Sequence, residues 1–409
     1  MTSLIGQRYE VEVGSVAHGG FCVARHDGRA IFVRHSLPGE RVVVEITEGK
    51  EDSRYLRADA VEIVTPSPER VDSQCAVSGP GGCGGCDWQH VSLKGQRELK
   101  AAVVAEQLKR LAGIDREIVV QEVAGVAGQP EGLHWRTRMR FAIDEQGHAG
   151  LRRSRSHDVV ALQDCAIAHP RVLEAEVFGA TWPGAESVMV AAPVGPTVET
   201  NETSVLVEYR DGTKHQALGP ATLVNDAVGR LWRSRVDGFW QVHPSAPAVL
   251  VDAVITAAQP RLSDVVWDLY AGVGLFAGAL APLVSDVVAV ESEAASCRDA
   301  ERNLKDLKTV KVVHERVDKW LRQQVDPQQL DAPDIVVLDP PRKGAGASIV
   351  GMICGVKPRV VVYVACDPAA LARDVALFAA QGYELGELTA YDLFPMTHHV
   401  ECVAVFTLS

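Results

Sequence analysis

From Leu231 onward, short β-branched runs alternate with helical segments, and that alternation limits the fold more than any other feature of the chain. Val265-Val-Trp-Asp-Leu-Tyr270, Asp286-Val-Val-Ala-Val-Glu291, Val310-Lys-Val-Val-His314, Asp334-Ile-Val-Val-Leu-Asp339 and Arg359-Val-Val-Val-Tyr-Val364 have the length and composition of buried strands. Glu293 to Leu307 and Ala369 to Gln381 read as helices between or after them. Strand–helix alternation with short connections implies a parallel sheet covered on both faces, an α/β Rossmann-like domain. Such a sheet binds its ligand beyond the carboxyl ends of its strands. Leu269 to Val284, the most apolar stretch, is short and bounded by Asp268 and Asp286, so it reads as strand and turn rather than a membrane span.

At roughly 150 residues per domain, the 409 residues leave room for more than this one unit. We divide the chain into a barrel (1–65), a central α+β domain (66–232) and the Rossmann-like domain (233–409). Tyr9-Glu-Val-Glu-Val13, Arg29-Ala-Ile-Phe-Val33, Arg41-Val-Val-Val-Glu-Ile46 and Ala58-Asp-Ala-Val-Glu-Ile-Val64 are short strand-like runs separated by Gly and Pro turns. About five such strands make a small barrel of the oligonucleotide-binding type, or equally a structural cap. Leu93 to Leu111 has no Pro and only Gly95 near its start, so the spacing predicts a helix there.

Composition narrows the partners. Lys and Arg number 41 against 53 Asp and Glu, a net charge of −12. An acidic chain meets a polyanion poorly, so any nucleic-acid contact must come from a local basic stripe. One candidate exists: Arg136, Arg138 and Arg140 alternate, which on a strand places them on one face, and Arg152, Arg153 and Arg155 follow. Either triplet alone reads as a solvated face; two so close point to phosphate contact. The amino terminus has neither a basic start nor an apolar core, so no signal peptide is expected. Nine cysteines then suggest a reducing cytoplasm, where clustered thiols hold metal or do chemistry. Neither a membrane nor an obligate protein partner is implied.

The chemistry lies at four strand ends. Asp268-Leu-Tyr-Ala-Gly-Val-Gly-Leu-Phe276 closes the first strand with a Gly-x-Gly turn, and Glu291 at the next strand end can accept both ribose hydroxyls of an adenosine cofactor. Position 277 is Ala, where a dinucleotide fingerprint has Gly or Ala, so the turn alone leaves a dinucleotide open. Leu338-Asp-Pro-Pro-Arg-Lys-Gly344 decides the matter: a strand end stiffened by two prolines is typical of S-adenosylmethionine methyltransferases. Tyr363-Val-Ala-Cys366-Asp-Pro368 then puts a thiol at a further strand end, beside a helix N-terminus that favours thiolate. Cys22, Cys297, Cys354 and Cys402 read as packing.

These motifs, with Cys86-Asp-Trp-Gln-His90, Phe239-Trp-Gln241, Pro368-Ala-Ala-Leu-Ala-Arg-Asp374 and His399-Val-Glu401-Cys-Val, resemble the uracil-5 RNA methyltransferases that carry an N-terminal TRAM domain and an iron–sulfur cluster. The resemblance runs over nearly the whole chain. It implies Cys366 as nucleophile toward uracil C6 and Glu401 as the base that removes the C5 proton. It implies Gln241, Tyr270, Glu291, Asp339 and, at looser spacing, Asp318 around S-adenosylmethionine. It implies a 4Fe–4S cluster on Cys75, Cys83, Cys86 and Cys165, where spacing alone suits zinc as well. RNA is the implied partner, with 23S ribosomal RNA ahead of the T-loop of transfer RNA. Three departures are visible: Gly79-Pro-Gly-Gly82 lengthens the first cysteine gap, and Asp367 and His243 stand where Asn is usual. A radical methylthiotransferase would need Cys-x₃-Cys-x₂-Cys, and an adenine or cytosine amino-methyltransferase an aromatic in place of Arg342. A catalytically inactive RNA-binding factor would have no need of Cys366, Glu401 and Asp339 together.

Overall fold

A computed structural model describes residues 2–195, 202–324 and 332–408. Strands β1 (Arg8–Ala17), β2 (Phe21–His26), β3 (Arg29–Arg34), β4 (Arg41–Glu48) and β5 (Tyr55–Thr65) close into a barrel in the order β1-β2-β3-β5-β4. Alternation explains the closure: Val11, Val13, Ile31, Val33, Val42, Val44 and Ile46 point inward and are buried, with more polar residues between them. β2, which the sequence reading does not mark, is six residues long and carries Arg25 and His26. The barrel core continues into Trp88, Val91, Leu99 and Val103, so the barrel rests on the next segment rather than hanging free.

That segment is the cysteine loop followed by α1 (Leu93–Gln107), whose first turn is capped by Ser92 Oγ accepting from Gly95 N at 3.0 Å. The helix ends earlier than Leu111, in a π turn over Leu108–Ala112 that stops at Gly113 with φ 70°. After β6 (Val120–Gln121), a six-stranded sheet forms from β7 (Arg138–Ile143), β8 (Ala149–Arg152), β9 (Val159–Ala161), β10 (Ala185–Ala191), β11 (Ser204–Tyr209) and β12 (Lys214–Leu218), with the short helix α2 (Pro170–Leu173) packed beside it. β13 (Thr222–Ala227) and β14 (Arg230–Arg235) form a hairpin leading to α3 (Ala246–Ala258).

The last part contains β15 (Val265–Leu269), α4 (Leu275–Leu280), β16 (Asp286–Glu291), α5 (Ala294–Asn303), β17 (Val310–His314) and α6 (Val317–Gln324). It continues with β18 (Ile335–Leu338), α7 (Ala347–Gly355), β19 (Val360–Ala365), α8 (Pro368–Ala379), β20 (Tyr383–Tyr391) and β21 (Glu401–Leu408). The sheet order is β17-β16-β15-β18-β19-β21-β20-β6. β15 to β19 are parallel, but β21 runs antiparallel between β19 and β20, so the sheet is mixed rather than wholly parallel. This is a correction with a consequence: antiparallel β21 brings its first residue, Glu401, to the edge where β19 ends, and Cys402 pairs with Ala365. Separate apolar cores cover the two faces. Strand order reverses between β15 and β18, which opens a crevice at the carboxyl ends. Among the described residues no helix is long and apolar enough to cross a membrane.

Candidate active site

The crevice is shaped first by the turn after β15. Tyr270 takes φ 65°, Gly272 φ 56° and Gly274 φ 91°. At Gly274 a side chain is excluded twice over, since a Cβ would lie 2.6 Å from Leu304 Cδ1. Around the position of a Gly272 Cβ nothing lies within 4 Å, so that backbone is open to a ligand. Asp268 Oδ2 accepts from Ala277 N at 2.8 Å and ties the strand to α4. Glu291 accepts from Gly272 N at 3.0 Å and from Ser292 N and Glu293 N at 2.6 and 2.7 Å.

The proline loop after β18 is braced from α8. Asp374 Oδ2 accepts from Ala345 N and Tyr363 OH, both at 2.7 Å, and Oδ1 accepts from Gly346 N at 3.1 Å. Asp339 itself leaves the sheet with its N–H on Leu269 O at 3.3 Å. On the neighbouring strand end, Asp367 caps α8 by accepting from Ala370 N at 2.8 Å, which fixes Cys366 just ahead of the helix.

One cavity of about 1170 Å³ runs along these strand ends. Cys366, Glu401, Gln241, Tyr270, Glu291, Asp318 and Asp339 all line it. Asp318 sits in the first turn of α6, held below the usual carboxylate range by Arg316 at 2.9 Å. Burial pushes Asp339 up to about 7 and Asp268 to the same level. Glu401 is raised well above the ordinary value by burial and then by the Asp339 charge. Burial, Glu401 and Asp339 push the Cys366 thiol up to about 11, against the opposing pull of Arg342. The site therefore holds two acids and a thiol, each disposed to keep its proton until a substrate or a neighbour changes its surroundings.

Arg342, His399 and Phe394 also line the cavity, with no role assigned from the sequence. Arg342 donates toward His399 Nε2 at 3.3 Å. Burial, His398 and Arg342 push His399 down to about 3, so it is a neutral imidazole. The segment carrying His399 is anchored from outside the domain: Lys100 Nζ meets Asp392 at 2.5 Å, Met396 N donates to Gln96 Oε1 at 2.7 Å, and His398 Nδ1 lies 2.6 Å from Asp87 Oδ2. No local pattern announces such partners, which lie 292 to 311 residues apart in sequence.

Cys75, Cys83, Cys86 and Cys165 converge on one small cavity. Gly85 N donates to Cys83 Sγ at 3.3 Å and Gln89 Nε2 to Cys86 Sγ at 3.6 Å. Burial pushes the Cys165 thiol up to about 11, and the other cysteines add to the shift. Among the described residues no three His, Cys, Asp or Glu side chains are closed to metal-binding separation. The donor set nonetheless suits a soft metal or cluster: four thiols facing one space, with N–H donors directed at sulfur.

Arg136, Arg138 and Arg140 alternate with buried Thr137, Met139 and Phe141, but their guanidinium groups are engaged in different ways. Arg136 precedes β7 and borders the main cavity. Arg138 turns its guanidinium onto Arg235 O, Gly238 O and Ser234 Oγ, because a buried guanidinium must find acceptors. Arg140 pairs with Glu208, and Arg155 with Glu48 at 3.3 Å. Arg152 and Arg153 are exposed, as are the ion-paired Arg140 and Arg155.

A glycine turn, an acidic residue at the next strand end and a proline-stiffened loop on such a sheet define a methyltransferase of the Rossmann-like class. Residues 2–61 match the TRAM domain family, and residues 224–408 match the tRNA (Uracil-5-)-methyltransferase family. An uncharacterized RNA methyltransferase of Streptomyces avermitilis is 46% identical, with 98% of each chain covered. A 23S rRNA (uracil(1939)-C(5))-methyltransferase of Shewanella baltica is 29% identical over 99% of this chain and 97% of its own. The tRNA (uracil-54, C5)-methyltransferase of Pyrococcus abyssi, solved with S-adenosyl-L-homocysteine, shares the fold at TM-score 0.69 and 22% identity, covering 97% of this chain and 99% of that one. The chain belongs to the RNA (uracil-5-)-methyltransferase family and is an enzyme of that kind.

Proposed function

We propose that this enzyme methylates C5 of a uridine in 23S ribosomal RNA, with S-adenosylmethionine as donor, and that Cys366 and Glu401 carry the chemistry. The observation behind this is that the thiol and the carboxyl face one cavity with Glu291, Asp339 and the open backbone at Gly272. The 23S substrate rests on the full-length likeness to the Shewanella baltica enzyme.

Uracil C5 is a poor nucleophile until something adds to C6. Once its thiol proton has passed to water, Cys366 adds as the thiolate through sulfur, forming the S–C6 bond and moving the pair of the C5–C6 double bond toward C5 as an enolate. S-adenosylmethionine, when bound, supplies the electrophilic methyl group. Glu401 then takes the C5 proton, the C–H pair restores the double bond, and the S–C6 bond breaks to return the thiolate. A carboxyl raised by burial is a stronger base, once ionised, than an exposed one. Gln241, Tyr270, Glu291, Asp318 and Asp339 hold the donor in this reading, with Glu291 accepting from ribose hydroxyls. Because a uridine in folded RNA hides its edge, the target must be splayed out of the stack to reach Cys366.

Cys75, Cys83, Cys86 and Cys165 hold a 4Fe–4S cluster in this reading, with zinc as the alternative on the same thiols. Its role is structural, since methyl transfer moves no net electron and Asp87, next to Cys86, anchors the segment that leads to Glu401. None of the nine cysteines is paired in a disulfide, and this reading places the enzyme in the cytoplasm. Anaerobically purified protein should be brown and carry about four irons per chain; one stoichiometric zinc and no colour would replace the cluster.

The reaction is tested by supplying methyl-labelled S-adenosylmethionine with 23S ribosomal or transfer RNA and mapping the labelled nucleotide. We expect label as 5-methyluridine in the 23S RNA. Label in the T-loop would move the substrate to transfer RNA, and label on an exocyclic amine would overturn the chemistry. No transfer to either RNA would leave a binding factor.

A further inference from the structure

The turn joining β1 to β2, His18-Gly19-Gly20, lies against the catalytic strand end. His18 Nε2 is 3.0 Å from Asp367 Oδ2, and Asp367 is the residue that follows Cys366 and caps α8. Gly20 makes the approach possible. It takes φ +81°, and a Cβ there would lie 2.9 Å from His398 Cβ and 3.2 Å from Asp87 Cβ. Barrel and catalytic domain thereby enclose a second cavity of about 150 Å³, walled by His18, Gly20, Arg342, Cys366, Asp367 and His398. Cys366 thus faces two spaces, one toward the donor cavity and one toward the barrel.

Three carboxyl groups surround the thiol. Glu401 and Asp339 are buried and disposed to stay neutral in the empty site. Asp367 differs. Burial alone would raise it, but the His18 bond and the Ala370 amide hold it below the ordinary carboxylate range, with Arg373 adding to the effect. It is therefore an ionised neighbour of a group that must itself become an anion, and that charge opposes thiolate formation unless a cation or a hydrogen-bond donor draws on it. Arg342 acts on the thiol from the main cavity. His18 acts from the barrel, through Asp367.

We infer that His18 of the barrel is a positioning residue for the nucleophile: by pairing with Asp367 it offsets the carboxylate beside Cys366 and holds the strand end against α8. The barrel is then a wall of the active site as well as a module attached to it. The inference rests on Cys366 being the nucleophile, and its test is kept separate from that assignment by using no RNA.

The test is the rate at which iodoacetamide alkylates Cys366 in the intact, metal-loaded protein, resolved by peptide mass spectrometry. His18→Ala leaves Asp367 with the Ala370 amide but without its imidazole partner, and should slow alkylation about tenfold, the effect of about one pKa unit on the thiolate fraction. Asp367→Asn removes the charge and keeps a good helix cap, so it should not slow the reaction. The double variant His18→Ala, Asp367→Asn should match Asp367→Asn alone. Wild-type alkylation in His18→Ala would overturn the inference. So would a double variant as slow as His18→Ala, because His18 would then matter only for seating the barrel. Methyl transfer by a Cys366→Ala variant would instead remove the nucleophile assignment and leave the alkylation result standing.

Discussion

Asp268 shows what a single carboxyl costs inside the catalytic sheet. It is fully buried, one oxygen accepts from Ala277 N, and Oδ1 has no hydrogen-bond partner among the described residues. Burial, with Asp339 and Glu291 adding to it, pushes it from 3.8 up to about 7. Between those values the native state holds a proton that the unfolded chain has lost. This group's contribution is therefore full below 3.8 and declines as pH rises through about 7. Asp268→Asn, an uncharged isostere, should flatten that decline and narrow the stability difference between pH 5 and pH 8 by roughly 1–3 kcal/mol. Urea unfolding at pH 5 and pH 8 measures it, and a steeper decline in the variant would refute this account of Asp268. At this scale the sequence revealed residues that motifs place at strand ends, such as Cys366, Asp339 and Glu291. It did not reveal His18 or Asp87, whose meaning comes from partners 349 and 311 residues away.

The loop after β18 depends on one helix. Gly344 takes φ +84°, and a Cβ there would lie 2.6 Å from Asp374 Oδ2, the oxygen that receives Ala345 N. Gly344→Ala must therefore twist the loop or eject Asp374, either of which displaces Asp339 and Arg342. We expect a stability loss of roughly 1–3 kcal/mol and S-adenosylmethionine affinity reduced about tenfold, the equivalent of 1.4 kcal/mol. Thermal unfolding and calorimetric titration check the two; unchanged affinity would mean that the loop does not shape the donor site. Elements with strong periodicity, β15 to β19 and the barrel staves β1, β3, β4 and β5, were legible in sequence because burial of alternate or continuous apolar residues writes itself into composition. β2 was not, since Arg25 and His26 interrupt a six-residue strand. The direction of β21 was not either, because an apolar run carries no sign of which way it threads the sheet. The arginine alternation at 138 and 140 was real as a pattern, and its meaning changed once Glu208 and the carbonyls of Arg235 and Gly238 were found opposite it.

At the scale of the molecule, a chain of net charge −12 must attract RNA through a restricted surface. Arg152 and Arg153 are exposed on the central domain, whereas Arg138 is committed to backbone carbonyls. Replacing Arg152 and Arg153 with Ala should lower the salt dependence of RNA affinity by about 0.7 to 0.9 log units per decade for each phosphate no longer neutralised. Arg138→Ala should destabilise the fold and leave that slope unchanged; the reverse pattern would place the RNA elsewhere. His18 of the barrel, Arg136 ahead of β7 and the ends of β19 and β21 border the cavities at Cys366 and Glu401, and the most direct measurement asks whether those two groups act in sequence. Glu401→Gln keeps the size of the side chain but cannot accept the C5 proton, so addition and methyl transfer proceed while elimination stops. Incubated with RNA and methyl-labelled S-adenosylmethionine, Glu401→Gln should yield a protein–RNA species that survives boiling in detergent and carries the methyl label. The Cys366→Ala, Glu401→Gln double variant should yield none. Turnover by Glu401→Gln near the wild-type rate, with no covalent species, would contradict the assignment of Glu401 as the base.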